Sequence, residues 1–300
     1  MTAALIDPDA PIIVQGITGR AGRSHARSMR AYGSRIVAGV SPREDEVDGT
    51  PVFRTTAEAV RETGARAAVA IVPPLSVLET VQDSAEAGLE LVVTLAEGVP
   101  VHDAVRARQI ARAAGLRWIG ASTPGLAIPG RIKLGFLPSV SLAPGDLGVM
   151  AKSGTLSYEV CHRLVRAGLG QSLWVGVGGD AVKGTRFAEV APIFEADPST
   201  RAMVVIGEIG GDEEEELART ILELGLHKPV YALIAGSAAR EGATMGHAGA
   251  LIHGDVGTVA SKRIALQKAG AQVFSRIADL VSTVAAEAPS MAAGWREAAS

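Results

Sequence analysis

Four stretches of this 300-residue chain carry residue types that can do chemistry at spacings that make it feasible. The first is Met245-Gly246-His247-Ala248-Gly249-Ala250, where one imidazole stands among residues so small that a tetrahedral group can form on a ring nitrogen without steric conflict. A neutral imidazole is a competent nucleophile near pH 7, so the run suits a phosphohistidine. It equally suits a histidine in a glycine-rich turn that only hydrogen-bonds backbone. The second is Gly207-Glu208-Ile209-Gly210-Gly211, a carboxylate at the end of an apolar strand, placed to hold an imidazole in one tautomer. In the third, Lys152-Ser153-Gly154-Thr155 leads into a helix, either as an anion-receiving helix start or as a plain serine N-cap. The fourth is Ile12-Ile13-Val14 followed by Gln15-Gly16-Ile17-Thr18-Gly19-Arg20-Ala21-Gly22. Strand, glycine turn and helix together cradle phosphates, although the spacing is Gly-x-x-Gly-x-x-Gly and also describes a turn that simply needs glycines.

Positioning these residues requires short buried strands alternating with helices. Ile36 to Val40, Ala67 to Ile71, Leu91 to Thr94 and Arg117 to Ile119 read as strands, and Leu75 to Ala87 and Val101 to Ala114 as helices. The pattern predicts a doubly wound parallel sheet whose ligands sit at the carboxyl edge, lined by Val72-Pro73-Pro74, Leu95-Ala96-Glu97-Gly98 and Gly120-Ala121-Ser122-Thr123-Pro124-Gly125. After the second strand comes Ser41-Pro42-Arg43, not the carboxylate of an NAD site; Arg43 suits a phosphorylated ribose, as in NADP or coenzyme A, or a solvated loop of mixed charge. Prolines and glycines thicken over 126–146, which reads as a connection between a first α/β unit over 1–125 and a second over 147–300. In the second unit, Leu147 to Ala151, Leu173 to Val177, Met203 to Ile206 and Pro229 to Ala235 continue as strands. Asp212 to Glu216 opens a helix as an acidic run and reads as a solvated face favourable to the helix dipole. His25 lies near the first glycine turn, whereas His102, His162, His227 and His253 have no evident partner and read as structural.

Composition narrows the classes. With 47% hydrophobic but only 4% aromatic residues and 35 glycines, the chain has the makings of α/β cores built from small aliphatics and tight turns. A net charge of −3 gives no footprint for nucleic acid, and neither a basic amphipathic stretch nor a long apolar run suggests a membrane. The single cysteine, Cys161, excludes an internal disulfide and a cysteine-based metal cluster, so a reducing cytoplasm is expected and no metal site is expected in this chain.

Taken together and in order, Gln15-Gly16-Ile17-Thr18-Gly19, Ser153-Gly154-Thr155-Leu156-Ser157-Tyr158-Glu159, Gly178-Gly179-Asp180, Gly207 to Gly211 and Met245 to Ala250 resemble the α subunit of succinyl-CoA synthetase (succinate–CoA ligase), from near Leu5 to about Ala286. The resemblance implies an N-terminal Rossmann-like domain that binds coenzyme A and a flavodoxin-like domain carrying the phosphohistidine. It implies Thr18, Gly19, Arg20, Ala21 and Gly22 on coenzyme A, with Arg43, Pro73, Leu95, Ala96 and Glu97 lining the same site. Ser153, Gly154 and Thr155 would receive the phosphoryl group, Glu208 would orient His247, and Tyr158, Ser122 and Thr123 would lie at the acyl substrate. No P-loop is present, so Mg-ATP or Mg-GTP is expected on a nucleotide-binding (ATP-grasp) β subunit. Two departures stand out: Arg43 and acids replace the family lysine after Ser41-Pro42, and Ala121-Ser122-Thr123-Pro124-Gly125 replaces Pro-Asn-Cys-Pro-Gly. The second opens the acid to succinate, malate, or a sulfinate or sulfonate. An NADP-dependent reductase and a non-catalytic coenzyme A-binding regulatory protein are the alternatives.

Overall fold

The computed structural model describes residues 5–43, 45–236, 249 and 257–298, with side chains to residue 288. Its first half is a seven-stranded sheet built from β1 (Ile12–Gln15), β2 (Ile36–Val40), β3 (Glu46–Val47), β4 (Thr50–Phe53), β5 (Ala67–Ala70), β6 (Leu91–Thr94) and β7 (Arg117–Ile119) in the order β3-β4-β2-β1-β5-β6-β7. All pairings are parallel except β3 with β4. Each residue of β1, β5 and β6 is buried, as strands covered by helices on both faces must be. The covering helices are α1 (Arg20–Tyr32), α2 (Thr56–Thr63), α3 (Val77–Glu86) and α4 (Val101–Ala114). Gln15, the one polar residue of β1, donates its amide N–H groups to the hydroxyls of Thr56 (3.0 Å) and Ser84 (3.2 Å).

The second half is another seven-stranded sheet, in the order β14-β13-β12-β10-β11-β8-β9. Its strands are β8 (Gly125–Ile128), β9 (Ile132–Gly135), β10 (Pro144–Ala151), β11 (Gln171–Gly176), β12 (Ala202–Glu208), β13 (Val230–Ala235) and β14 (Gln272–Phe274). Its helices are α5 (Gly154–Arg166), α6 (Phe187–Ala196), α7 (Glu213–Leu224), α8 (Val259–Lys268) and α9 (Ile277–Ala298). Five strands are mutually parallel, while β8 and β9 add an antiparallel edge. The stretch 126–146, expected as a connection, therefore contributes two strands. Gly125 and Gly135 pair directly, at φ 111° and 126°, and a Cβ on Gly125 would fall 1.8 Å from the Leu134 carbonyl oxygen. Glycines that read as chain breakers in the sequence are there because the two backbones approach too closely for side chains.

The β8–β9 hairpin also joins the halves. The Ser34 hydroxyl, in the turn before β2, donates to the Lys133 carbonyl (2.6 Å) and accepts from the Lys133 N–H (3.0 Å). Further along, Gly184 N–H donates to the Gly120 carbonyl (2.7 Å) and the Thr185 hydroxyl to the Trp118 carbonyl (2.8 Å). Among the described residues no helix is long and apolar enough to cross a membrane. Gly125→Ala should lose about 2–5 kcal/mol in urea denaturation, combining an unfavourable φ with a backbone clash. Gly88→Ala, at φ 76° with nothing within 4 Å of the new carbon, should lose only about 1–2 kcal/mol. Equal losses would show that conformation alone, and not the close approach, accounts for Gly125.

Candidate active site

In a doubly wound sheet, the crevice opens at the carboxyl edge where successive strands turn to opposite sides. In the first sheet that point lies between β1 and β5, and the turns after β2, β1, β5 and β6 lie side by side along it. They bring Arg43, Thr18 with Gly19 and Arg20, Pro73, and Leu95 with Ala96 and Glu97 to one edge. Thr18 and Ser41 bind each other through their hydroxyls (2.8 Å), which ties the glycine turn to the turn carrying Arg43. Arg20, Ala21, Arg43, Pro73 and Glu97 are exposed, whereas Thr18, Leu95 and Ala96 are half-buried.

The three glycines of the turn differ in why they are glycine. A Cβ on Gly16 (φ 79°) would fall 2.3 Å from the Ile71 carbonyl oxygen, and one on Gly22 would fall 2.2 Å from the Gly16 carbonyl oxygen. Both are demanded by the fold. Gly19, the N-cap of α1 at φ −68°, would place a Cβ no nearer than 3.5 Å to Gly16 O, and no side chain caps the helix. The fold does not need a glycine there, so the bare backbone and the free first-turn N–H groups are open to an anionic ligand.

In the second sheet the switch point lies between β10 and β12. Ser153, separated from the end of β10 by Lys152 alone, caps α5, its hydroxyl accepting from Leu156 N–H (3.3 Å). Glu208 is the last residue of β12 and 8% exposed. Lys152, Glu208, Asp180 and Gly249 line one cavity of about 100 Å³, together with Arg108 from α4 of the first half. His247 lies outside the described residues; Gly249, two positions on, donates its N–H to the Gly179 carbonyl (3.2 Å). Tyr158 is half-buried against Trp174 (ring centroids 6.2 Å apart), and burial pushes its hydroxyl up to about 12. A side chain on Gly154 would come within 3.3 Å of both the Tyr158 hydroxyl and Pro124, which places α5 against the turn after β7. In that turn Ser122 is half-buried at φ 57°, while Thr123 is 2% exposed. The Thr123 hydroxyl donates to the Gly176 carbonyl and accepts from Gly125 N–H (2.9 Å), so it is engaged in the turn itself.

The acidic run after β12 is not the solvated face the sequence suggested. Glu213 is 3% exposed and Glu214 is fully buried. Glu214 accepts the Glu208 backbone N–H (3.1 Å) and pairs with Lys152 (2.9 Å) and with Lys262, the latter from α8. Glu213 pairs with Lys183 (2.7 Å) and accepts Phe187 N–H (2.9 Å), while Lys262 also binds the Gly211 carbonyl (2.9 Å) and Glu215 (3.0 Å). Three lysines and three glutamates from four separate segments thus hold the end of β12 in place. Burial alone would raise the Glu214 carboxyl, but the Lys152 and Lys262 ammoniums outweigh it and hold Glu214 below the usual range. Burial likewise opposes the charge of Lys152, yet Glu214 and Glu213 carry it above the ordinary lysine value. Lys183, fully enclosed, is pulled down by burial. Sequence reading missed this network because its members are scattered from 152 to 262 and a run of four glutamates at a helix start has the pattern of a solvated dipole cap.

Residues 7–98 match the family model for a CoA binding domain, and residues 150–272 match the model for CoA-ligase. A coenzyme A-binding unit followed by a ligase unit defines an acid–thiol ligase. An ADP-forming succinate–CoA ligase α subunit of Archaeoglobus fulgidus is 44% identical over 287 residues, covering 94% of this chain and 99% of that protein. A subunit of the ADP-forming sulfoacetate–CoA ligase of Bilophila wadsworthia is 40% identical, covering 90% and 94%. The chain belongs to the CoA-ligase family that includes the α subunits of ADP-forming succinate–CoA ligases. Its fold is shared with an ATP citrate lyase of Methanosaeta concilii solved with (3S)-citryl-CoA, at a TM-score of 0.87 and 23% identity; the match covers 94% of this chain and 50% of that one.

Glu214→Ala should lose about 3–5 kcal/mol of stability near pH 7, because two buried ammoniums would lose their shared anion. Since the folded Glu214 value is lowered, its contribution is present above the ordinary glutamate value of 4.5 and lost as pH falls through the folded value. Urea denaturation from pH 7 to pH 3 should show the wild type losing stability at the acid end and the variant losing less. A variant within 1 kcal/mol of wild type at pH 7 would mean that the lysines rehydrate freely.

Proposed function

We propose that this chain is the phosphohistidine-bearing subunit of an NDP-forming acid–CoA ligase, with His247 as the phosphoryl carrier and Glu208 as the group that orients its imidazole. The observation that carries this reading is the cavity at the second switch point, where Glu208 and Gly249, two residues from His247, are both in the wall. The imidazole nitrogen attacks the γ-phosphorus of a nucleoside triphosphate and the diphosphate leaves. The phosphoryl group then passes to a carboxylate or related acid, restoring the histidine and forming a mixed anhydride. The coenzyme A thiol, losing its proton, attacks the acyl carbon and releases inorganic phosphate. Ser153, Gly154 and Thr155 offer the α5 N-terminus to the phosphoryl group, at about 1 kcal/mol for a helix end beside an anion. Coenzyme A takes the first crevice, with Thr18 and the N–H groups from Gly19 to Gly22 on the pyrophosphate. Arg43 is assigned to the 3′-phosphate, and Pro73, Leu95, Ala96 and Glu97 line the rest. Mg-ATP or Mg-GTP binds an ATP-grasp β subunit, in keeping with the subunit names of the relatives, and the assembly is cytoplasmic. The coenzyme A-binding unit is taken as 1–125, and the ligase unit, expected as 147–300, also takes in the β8–β9 hairpin.

The acid remains a choice between succinate and an acid with a different head. Ser122 is assigned to the acyl site with Tyr158, while Thr123, its hydroxyl already engaged, supports the turn. A hydroxyl can donate or accept, which suits malate or a sulfonate, and one relative is named for sulfoacetate.

Incubation with ATP, magnesium and the partner subunit should place acid-labile phosphate on His247, detected by mass spectrometry. Label that persists in His247→Ala would end the assignment. Gly19→Val should weaken coenzyme A at least tenfold by calorimetry while leaving urea stability nearly unchanged, because the fold has room for the side chain. Tight NADP binding with no coenzyme A binding would favour the reductase reading instead. For the acid, kcat/KM measured with succinate, malate and sulfoacetate should differ by several orders of magnitude if Ser122 pairs a substrate group, and by about 10- to 100-fold if the pocket is only reshaped. A clear preference for succinate would refute the altered pocket.

A further inference from the structure

A separate cavity of about 140 Å³ lies where the two halves meet, and it shares no residue with the turns assigned to coenzyme A. Helix α4 of the first half brings Arg108, Ala111 and Arg112 to its wall, and helix α6 of the second brings Glu189 and Ile193. Its floor is apolar: Leu5, Ala111, Leu116 and Trp118 are each at most 5% exposed.

Most polar groups of the wall are already committed. The Trp118 indole N–H donates to the Thr94 hydroxyl (2.8 Å), and the Thr185 hydroxyl donates to the Trp118 carbonyl (2.8 Å). Arg117 donates through Nη1 to the Leu5 carbonyl (3.1 Å). Arg112 pairs with one oxygen of Glu189 (3.3 Å), whose other oxygen accepts the Arg186 backbone N–H (2.9 Å). Arg108 is different. Its Nε is buried with no acceptor in reach, and among the described residues no carboxylate forms an ion pair with it. A buried N–H without an acceptor is costly, and a guanidinium short of its counter-charge more so. Burial, and after it the like charge of Arg112, accordingly pulls Arg108 below its ordinary value despite Glu189 and Glu216.

The cavity therefore lacks one negative charge, and beyond that charge it offers apolar surface. A planar carboxylate meets the guanidinium fork with two parallel hydrogen bonds, and one uncommitted fork calls for one charge. A water needs about 10–15 Å³ of such space, so there is room for roughly ten waters, or for an unbranched acid of about six carbons. We propose that this cavity binds a small amphipathic monocarboxylate, its head on Arg108 and its chain over Leu5, Ala111, Leu116 and Ile193. The occupant touches α4 and α6 at once, so it favours the arrangement in which the two halves are packed together. Arg108 also stands in the wall of the Glu208 cavity, so an acid held here engages a side chain shared with the candidate active site. The binding itself requires no particular reading of His247.

The test is calorimetry of the full chain with hexanoate, set against inorganic phosphate as a charge without a chain and hexanol as a chain without a charge. Hexanoate should bind at least tenfold more tightly than either, and saturating hexanoate should raise the melting temperature. Arg108→Gln should weaken hexanoate at least tenfold while leaving the melting temperature of the unliganded chain nearly unchanged, because Arg108 has no partner to lose. Ala111→Leu fills the apolar floor without touching the charge and should weaken hexanoate as much. Phosphate bound as tightly as hexanoate would mean a site that reads charge alone, and hexanol bound as tightly would mean one that ignores Arg108; either result overturns the proposal. So does an absence of hexanoate binding. Hexanoate binding that survives both substitutions would put the acid in the acyl pocket or the coenzyme A crevice, and that too overturns the assignment.

Discussion

The second half of the site depends on one buried carboxylate. Glu214, with no exposed surface, accepts the backbone N–H of Glu208 and lies between the ammoniums of Lys152 and Lys262. Glu208 cannot move without uncoupling that hydrogen bond, and Glu214 cannot move without leaving two charges unbalanced in a medium that screens them poorly. Lys152 immediately precedes the α5 N-terminus and Lys262 sits in α8. The same ion cluster therefore sets the spacing among the end of β12, the α5 N-terminus and α8.

Two switch points, one in each sheet, organise what surrounds that cluster. The first gathers turns from four neighbouring strands around the Thr18–Ser41 pair, and the second brings the ends of β10 and β12 together. They are held in register by the β8–β9 hairpin and by contacts of Gly184 and Thr185 with the end of β7. Arg108, from a helix of the first half, reaches the cavity that Glu208 and Gly249 line in the second, so that cavity is framed by both halves.

Much of this was legible in the residues. The buried strands announced themselves as short aliphatic runs, and β2, β6, β7, α1 and α4 fall where the apolar periodicity and the glycine punctuation put them. The glycine turn, Glu208 at a strand end and Ser153 at a helix start were also readable, because local chain geometry alone dictates them. His247 was singled out by its small neighbours and lies outside the described residues.

What failed to read locally was decided by packing. A run of four glutamates has the same pattern whether it faces water or buried lysines from distant segments before and after it, and only the folded chain brings Lys152, Lys183 and Lys262 to it. Glycines over 125–135 signal a broken chain in one dimension and a close antiparallel pairing in three. Thr123 offers a hydroxyl that the sequence leaves free for a substrate, and the fold commits it to the Gly176 carbonyl and the Gly125 amide. The sequence by itself determined which segments become strands, turns and helices, and which side chains stand at their ends, because those depend on neighbours along the chain. Tertiary structure decided which charges are buried, which hydroxyls remain available and which turns touch, because each depends on partners that the chain brings together only when both sheets have formed.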